Sequence, residues 1–273
     1  YISVYQEKLW QENLNNIAAL NQSAANNATA LIDSWRVKLD DVAAYASRHQ
    51  MTRDELLALI EESNSSASRQ FQLIGVDNTG YLARRDESGA FIPLSYQSSS
   101  YSRLHKIFSA ESQTAENAIR FAPEFTDQHT AFKHFALYTH ISLSEGDGEE
   151  TYTLMLGGRA QDMLGAFNPQ GVSDELSSVL IDSQGNYIVS DAHFKSNNFF
   201  QYLYVYNDLS LDRRNALNAE VVEKGYGELF FKNSEGLDCV FRYARMTTND
   251  WYCVTCAPLS TFRTAGLSSN YAL

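Results

Sequence analysis

A sequence pattern that occurs twice, about a hundred residues apart, constrains the fold of this chain most strongly. The first copy, at 71–84, reads FQLIGVDNTGYLAR, and the second, at 179–190, reads VLIDSQGNYIVS. In each copy an apolar run leads through Asp and a polar turn into a second apolar run, which is the pattern of a β-hairpin whose turn Gly takes a positive φ. Polar turns at 144–148 and 247–250 recur at a similar spacing. We therefore predict two copies of one module.

The segment before the first hairpin predicts a long helix. No Gly or Pro occurs before Gly75, and apolar residues recur at steps of three or four, so one amphipathic helix is expected over 4–48. Its apolar stripe is thin at 13–27, where Asn and Ser are frequent. Such a helix can be a spine for two modules, a seam between two copies of the chain, or both.

The remaining elements occur in a similar order in both halves. A capping box of Thr52 and Glu55 predicts a short second helix. After the first hairpin we expect a loop at 86–100, helical turns at 101–108, and strands at 118–122, 130–143 and 151–156. After the second we expect helical turns at 197–206 and 212–224, and strands at 227–231, 238–246 and 251–257. The predicted class is α+β, with two tandem PAS-like modules, each a five-stranded antiparallel sheet flanked by helices.

Composition and motifs narrow the function. A net charge of −12 without any Lys or Arg cluster argues against a nucleic-acid partner. No run approaches the roughly 20 apolar residues of a membrane span. Enzyme signatures for nucleophilic Ser, bound phosphate, zinc or dinucleotides are missing from the sequence. We expect a binding module without catalytic residues, metal or cofactor. A secreted enzyme or redox protein that uses the C-terminal cysteines, or an adhesion module, remains an alternative.

The three cysteines fall near the C-terminus. Cys253 and Cys256 have the spacing of a redox or metal motif, but a separation of three on a strand directs the two sulfurs to opposite faces. Pairing the strands about the turn at 248–249 places Cys256 near Phe241 and diagonal to Cys239 on the same face. A Cys239–Cys256 disulfide is therefore geometrically possible. The favoured interpretation is that the cysteines are small buried hydrophobic residues.

The order of elements, with a last strand of the form Tyr243…Asn249-Asp250-Trp251-Tyr252-Cys253-Val254…Ala257-Pro258, resembles the double Cache sensor domains of bacterial membrane receptors. The resemblance implies a periplasmic or extracellular fragment between two transmembrane helices beyond Tyr1 and Leu273. It also implies a small-molecule ligand in the membrane-distal module and a cytoplasmic kinase, cyclase or chemotaxis output. The expected division is 1–68 for the helical spine, 69–168 for the distal module, 172–262 for the proximal module and 263–273 for the exit.

The strand at 130–143 predicts where a ligand binds. Its side chains separate into an apolar face suited to packing on the long helix, with Phe135 and Ile141, and a polar face with His134, Tyr138 and His140. Under the predicted helical turns, the polar face is the candidate pocket. The expected ligand contacts are Tyr101, Arg103, Arg120, His134, Tyr138 and Tyr152.

Arginine suits a carboxylate, so the expected ligand is a small anion or zwitterion. The amino-acid-binding subset of the family carries Arg-x-Trp where this chain has Arg103-Leu104-His105, so the resemblance does not extend to amino-acid specificity. In the second module Tyr204, Tyr226, Tyr243 and Arg245 are candidates for an analogous cleft.

Overall fold

The computed structural model describes residues 2–65, 70–109, 118–128, 131–167, 176–247 and 249–262. The helices are α1 (Ile2–Arg48), α2 (Arg53–Glu61), α3 (Ser102–Phe108), α4 (Ala160–Phe167), α5 (Phe199–Tyr206) and α6 (Leu211–Lys224). The strands are β1 (Gln70–Gly75), β2 (Thr79–Arg85), β3 (Phe91–Ser95), β4 (Arg120–Thr126), β5 (Lys133–Glu145), β6 (Gly148–Arg159), β7 (Ser177–Ile181), β8 (Tyr187–Val189), β9 (Tyr226–Lys232), β10 (Asp238–Arg245) and β11 (Tyr252–Pro258). The α+β class is confirmed.

The chain forms two compact units, each built on one antiparallel sheet. The six-stranded unit comprises Leu31–Asp162, with strand order β3-β2-β1-β6-β5-β4. The five-stranded unit comprises Tyr1–Ala30 and Met163–Leu273, with strand order β8-β7-β11-β10-β9. The predicted boundary between the two modules, at 168–172, and the predicted exit at 263–273 lie outside the described residues. Among the helices that the structure describes, none combines the length and the apolar character needed to cross a membrane.

The predicted long helix is confirmed as α1. Its buried positions follow the predicted steps: Ile17, Asn21, Ala24 and Ala28 in the five-stranded unit, and Ile32, Trp35, Leu39 and Ala46 in the six-stranded unit. The capping box that starts α2 is also confirmed. Thr52 Oγ1 accepts a hydrogen bond from the Glu55 amide at 3.3 Å, and the Thr52 amide donates to Glu55 Oε2 at 2.9 Å.

Both predicted hairpins form, but their turns differ. In the β7–β8 turn, Gly185 has a φ of 81° as expected. In the β1–β2 turn, Asn78 takes the positive φ, 63°, and not Gly80. Gly80 lies inside β2, where a Cβ would be 3.2 Å from the Tyr96 ring. Asn tolerates the left-handed region, so the first turn needs no Gly, and Gly80 serves close packing instead.

The stretch at 86–100, predicted as a loop, contains the additional strand β3. Among the described strands, β3 pairs only with β2 and is therefore an edge strand, with Pro93 opposite Tyr81. An edge strand tolerates Pro because its outer side has no ladder to complete. The first sheet thus has six strands and not the predicted five, whereas the second has the predicted five.

Candidate functional site

The candidate site lies in the six-stranded unit, between α3 and one face of the sheet. On the opposite face, the ring of Phe135 packs on Trp35 of α1 with centroids 5.9 Å apart. Tyr138 instead belongs to a buried cluster with Leu104 and Ile107 of α3. The predicted division of β5 into a helix-packing face and a face covered by α3 is confirmed.

Helix α3 follows a short 3-10 turn at Ser99–Tyr101, which Ser98 caps by accepting from the Ser100 amide. Leu104, Ile107 and Phe108 point into the cluster because they recur at steps of three and four. The far end of α3 is joined to the sheet by His140, whose Nε2 lies 2.9 Å from the Ile107 carbonyl oxygen.

A polar group of buried side chains lies where α3 begins. Tyr101 is fully buried, and its hydroxyl donates to Asp127 Oδ1 at 3.0 Å while accepting from the Gln128 amide at 2.7 Å. His134 Nε2 lies 3.9 Å from Asp127 Oδ2. Burial raises the pKa of Tyr101 to about 12. Burial also lowers the pKa of His134, against the opposing effect of the Asp127 carboxylate. Tyr101 therefore remains a neutral donor at physiological pH.

Tyr96 forms the aromatic wall of this end. Its ring lies 4.9 Å from that of Tyr101, its hydroxyl donates to Gln72 Oε1, and its carbonyl contacts His105 Nε2. Burial raises the pKa of Tyr96 far above its usual value. The wall is thus uncharged.

A second polar group lies where α3 ends. Arg120 of β4 is directly opposite Tyr138 of β5, and His140 follows on the same face of β5. Burial lowers the pKa of His140, and the nearby Arg120 charge lowers it further. Thr153, opposite His140, is fully buried, and its hydroxyl has no hydrogen-bond partner among the described residues. This end combines an exposed cation with neutral hydrogen-bonding groups.

The six predicted contacts do not all converge. Tyr101 and His134 belong to the first polar group, and Arg120 and Tyr138 to the second. His134 and Tyr138 are four residues apart on β5, which corresponds to roughly 13 Å at the rise of a strand. Arg103 lies on α3, two residues from Tyr101, and is exposed.

Tyr152 is separated from the other five. Its partner in the sheet is Ile141, so it lies on the face that packs toward α1. There its hydroxyl donates to Glu150 Oε2 at 2.9 Å. The register of the β5–β6 hairpin, in which Glu145 pairs with Gly148, fixes this orientation.

Asp127 is a site residue that the sequence pattern does not predict. The pattern ends the third strand of this sheet at 122, but β4 continues to Thr126 and brings Asp127 beside Tyr101. The signal that could have revealed it is the apolar Phe125, which continues the strand and pairs with His134.

The candidate cleft of the five-stranded unit does not assemble from its four residues. Tyr204 donates to the Arg214 carbonyl at 2.8 Å, and Tyr226 is 67% exposed. Arg245 forms an exposed ion pair with Asp250. The face that the helices cover is filled by aromatic rings, with Phe194, Phe199, Tyr202 and Phe241 in mutual contact.

Solved structures share the fold. The extracellular domain of the putative histidine kinase soHK1S-Z6 superposes with a TM-score of 0.66 over 96% of this chain and 99% of its own, at 11% identity. For the periplasmic sensory domain of the Campylobacter jejuni chemoreceptor Tlp1 the TM-score is 0.61, over 93% and 98%, at 13% identity. For the ligand-binding domain of the Pseudomonas aeruginosa PAO1 amino acid chemoreceptor PctB, in complex with L-Arg, it is 0.60, over 92% and 97%, at 12% identity.

No family model matches the chain, and a comparison with curated protein sequences also finds no match. At identities of 11 to 13%, the similarity to the three structures establishes the fold. The chain therefore has the fold of extracellular sensor domains of bacterial receptors, as the double Cache resemblance predicted.

Proposed function

We propose that this chain is the extracytoplasmic sensor region of a membrane-bound bacterial receptor of the histidine kinase, diguanylate cyclase or chemoreceptor type. The support is a fold shared over nearly the whole chain with a histidine kinase domain and two chemoreceptor domains. In this proposal 69–168 is the membrane-distal, ligand-binding module, 172–262 is the proximal module, and flanking segments outside the chain anchor it in the membrane. The fragment itself carries no catalysis.

The observation that carries the ligand proposal is the second polar group under α3. Arg120, Tyr138 and His140 bring a cation and two hydrogen-bonding side chains to one face of β4 and β5. A small anion, or a zwitterion with its carboxylate at Arg120, finds there the charge it needs on leaving water. Asp127 and Tyr101 at the other polar group offer a negative charge instead. Because β4 separates Arg120 from Asp127, one small molecule reaches only one of them directly.

A thermal-shift screen tests the proposal. The purified chain is heated with L-amino acids and with small mono- and dicarboxylates, including compounds without an amino group. A ligand at a hundred times its Kd stabilises the folded state by about 2.7 kcal/mol. We expect at least one carboxylate-containing compound to raise the melting temperature. If the whole panel has no effect, recognition of a carboxylate by this chain is excluded and the adhesion alternative gains weight.

We further propose that the chain acts as a dimer through α1. Residues 13–32 contain no charged residue, although the whole chain carries −12. Within this segment Asn15, Ala19, Gln22 and Asn26 are exposed at steps of three and four, opposite the buried stripe. Small and amide side chains at this spacing suit close packing against a second helix.

A further inference from the structure

The β10–β11 hairpin brings two of the three cysteines together. Phe241 pairs with Cys256, and Cys239 pairs with Pro258, so Cys239 and Cys256 are diagonal neighbours on one face. Both belong to the buried core of the five-stranded unit, with 1% and 6% exposure. Cys253 pairs with Ala244 and points to the other face, which removes it from this pair.

Each of the two thiols affects the ionisation of the other. A hydrogen bond with the Cys256 thiol lowers the pKa of Cys239, although burial opposes the shift. The same hydrogen bond, together with burial, raises the pKa of Cys256 well above its ordinary value. Cys239 is therefore the thiol that ionises first, and a thiolate is the form that reacts with disulfides.

Closure of a bond between the two cysteines requires a small movement of the backbone. Diagonal positions in a sheet are about 7 to 8 Å apart, slightly beyond the Cα separations of up to about 6.8 Å that disulfides usually span. Here the positions lie close to the ends of their strands: Cys239 is the second residue of β10, and Cys256 is two residues before the end of β11. Strand ends adjust more easily than strand centres, because fewer ladder hydrogen bonds hold them.

We propose that Cys239 and Cys256 form a disulfide that closes the β10–β11 hairpin covalently. The Cys239 thiolate attacks one sulfur of an oxidant disulfide, such as oxidised glutathione or the active disulfide of an oxidoreductase. This releases one oxidant thiolate and leaves a mixed disulfide. The Cys256 thiol gives its proton to the released oxidant thiolate, and its sulfur then attacks the Cys239 sulfur and displaces the second oxidant thiolate. The protein pair loses two electrons and two protons, and the oxidant disulfide is reduced to two thiols.

In the cell, formation of this bond rests on the proposed extracytoplasmic location, because disulfides persist in oxidising compartments. Formation of the bond in vitro does not depend on that location. The disulfide proposal and the proposed function can therefore fail separately. The three cysteines are free thiols in the structure, so the structure represents the reduced chain. In the experiment the reduced chain is unfolded and then refolded in a buffer of reduced and oxidised glutathione. Thiols are counted with a chromogenic reagent in denaturant, and a non-reducing digest is analysed by mass spectrometry.

We expect one remaining thiol per refolded chain, at Cys253, and a peptide pair joined through Cys239 and Cys256. Cys253→Ser should leave no thiol and keep the joined peptides. Cys239→Ser should leave both other thiols free, because Cys253 and Cys256 face opposite sides of β11. Three thiols in the refolded wild-type chain, or a joined pair that contains Cys253, would overturn the proposal. Ligand binding is not needed for any of these results, so a negative ligand screen does not affect them.

Discussion

The side-chain amide of Asn21 in α1 donates a hydrogen bond of 3.0 Å to the hydroxyl of Thr255 in β11. The same nitrogen lies 3.0 Å from the Cys253 carbonyl oxygen, and the Thr255 hydroxyl is 2.8 Å from that of Ser178. Asn21 has no exposed surface. The neighbouring buried residues of α1 are apolar, and apolar contacts do not fix the position of a helix along a sheet. The Asn21 hydrogen bonds therefore fix the position of this part of α1 on the five-stranded sheet.

Replacing Asn21 with Ala should lower the free energy of unfolding by about 1 to 3 kcal/mol, the usual cost of leaving buried polar partners unsatisfied. Urea denaturation measures the change. Asn27→Ala is the matched control: Asn27 lies on the exposed side of the same helix, where Ala is the better helix former. Equal stability of the two variants would show that the Asn21 contact contributes nothing.

The sequence predicts those features of the fold that depend on local pattern. The absence of breakers predicts α1, and the alternation along β5 predicts which face meets α3. The prediction for Tyr152 is wrong because it does not use the register of the β5–β6 hairpin. Counting outward from the two-residue turn of Gly146 and Asp147 pairs Tyr152 with Ile141, which places it on the face opposite to that of Tyr138.

Two further features escape prediction for different reasons. Strand β3 reads as a loop because Gly89 and Pro93 are loop formers, and its pairing depends on β2 being available. The polar group around Asp127 depends on three separate elements meeting in space. Phe125 indicates that β4 extends to Asp127, but no spacing in the sequence shows that Tyr101 and His134 lie beside it.

The β7–β8 turn gives a second prediction. Gly185 has a φ of 81°, and an added Cβ would overlap the ring of Phe200, a buried residue of α5. Gly185→Ala should therefore combine backbone strain of about 1 to 2 kcal/mol with a steric cost of about 1 to 3 kcal/mol. The measurement is again urea denaturation of the purified variant.

Gly236→Ala separates these two costs. Gly236 has a similar φ, 79°, but no atom of the described residues lies within 4 Å of the place a Cβ would take, so only the backbone strain applies. We expect Gly185→Ala to be the less stable variant of the two. If both lose the same stability, the close approach of Phe200 has no energetic weight.

Acid should destabilise the six-stranded unit through the partly buried His134 and the buried His140. Burial lowers the pKa of His134 and of His140 below the ordinary 6.5. Both are neutral above that value in the folded and unfolded states. Below it the unfolded chain binds protons first, so stability falls as pH drops through 6.5 toward the folded pKa. The slope contributed by each histidine is at most about 1.4 kcal/mol per pH unit.

Thermal denaturation between about pH 7 and pH 5 measures this slope, since the ordinary His pKa lies within that window. His134→Gln and His140→Gln should each flatten the profile, and the double variant should flatten it most. A double variant with the wild-type slope would place the acid sensitivity elsewhere.

The dimer proposal predicts that the apparent mass of the chain rises with concentration. A charge among the exposed residues Asn15, Ala19, Gln22 and Asn26 of α1 should prevent this association. Ala19→Glu places a carboxylate among these exposed residues. In a symmetric dimer the two carboxylates would either repel each other or lose their hydration, and both effects oppose association. Asn27→Glu adds the same charge about a quarter turn away on the helix. Sedimentation equilibrium should show a monomer for the first variant and the wild-type association for the second. A wild-type chain that stays monomeric at high concentration would rule out this seam.

The ligand site gives the most specific prediction. If an anion binds beside Tyr138, Arg120→Ala should weaken binding by about 1.5 to 3 kcal/mol, the contribution of a hydrogen bond to a charged group. Arg103→Ala should have a smaller effect, because Arg103 lies at the other end of α3, two residues from Tyr101. Arg213→Ala is the control, since Arg213 is paired with Glu220 on α6. Calorimetry with one ligand from the screen compares all three. Wild-type affinity in the Arg120 variant would exclude the second polar group, and Asp127 with Tyr101 would then be the site to test, with an ammonium group as the recognised charge.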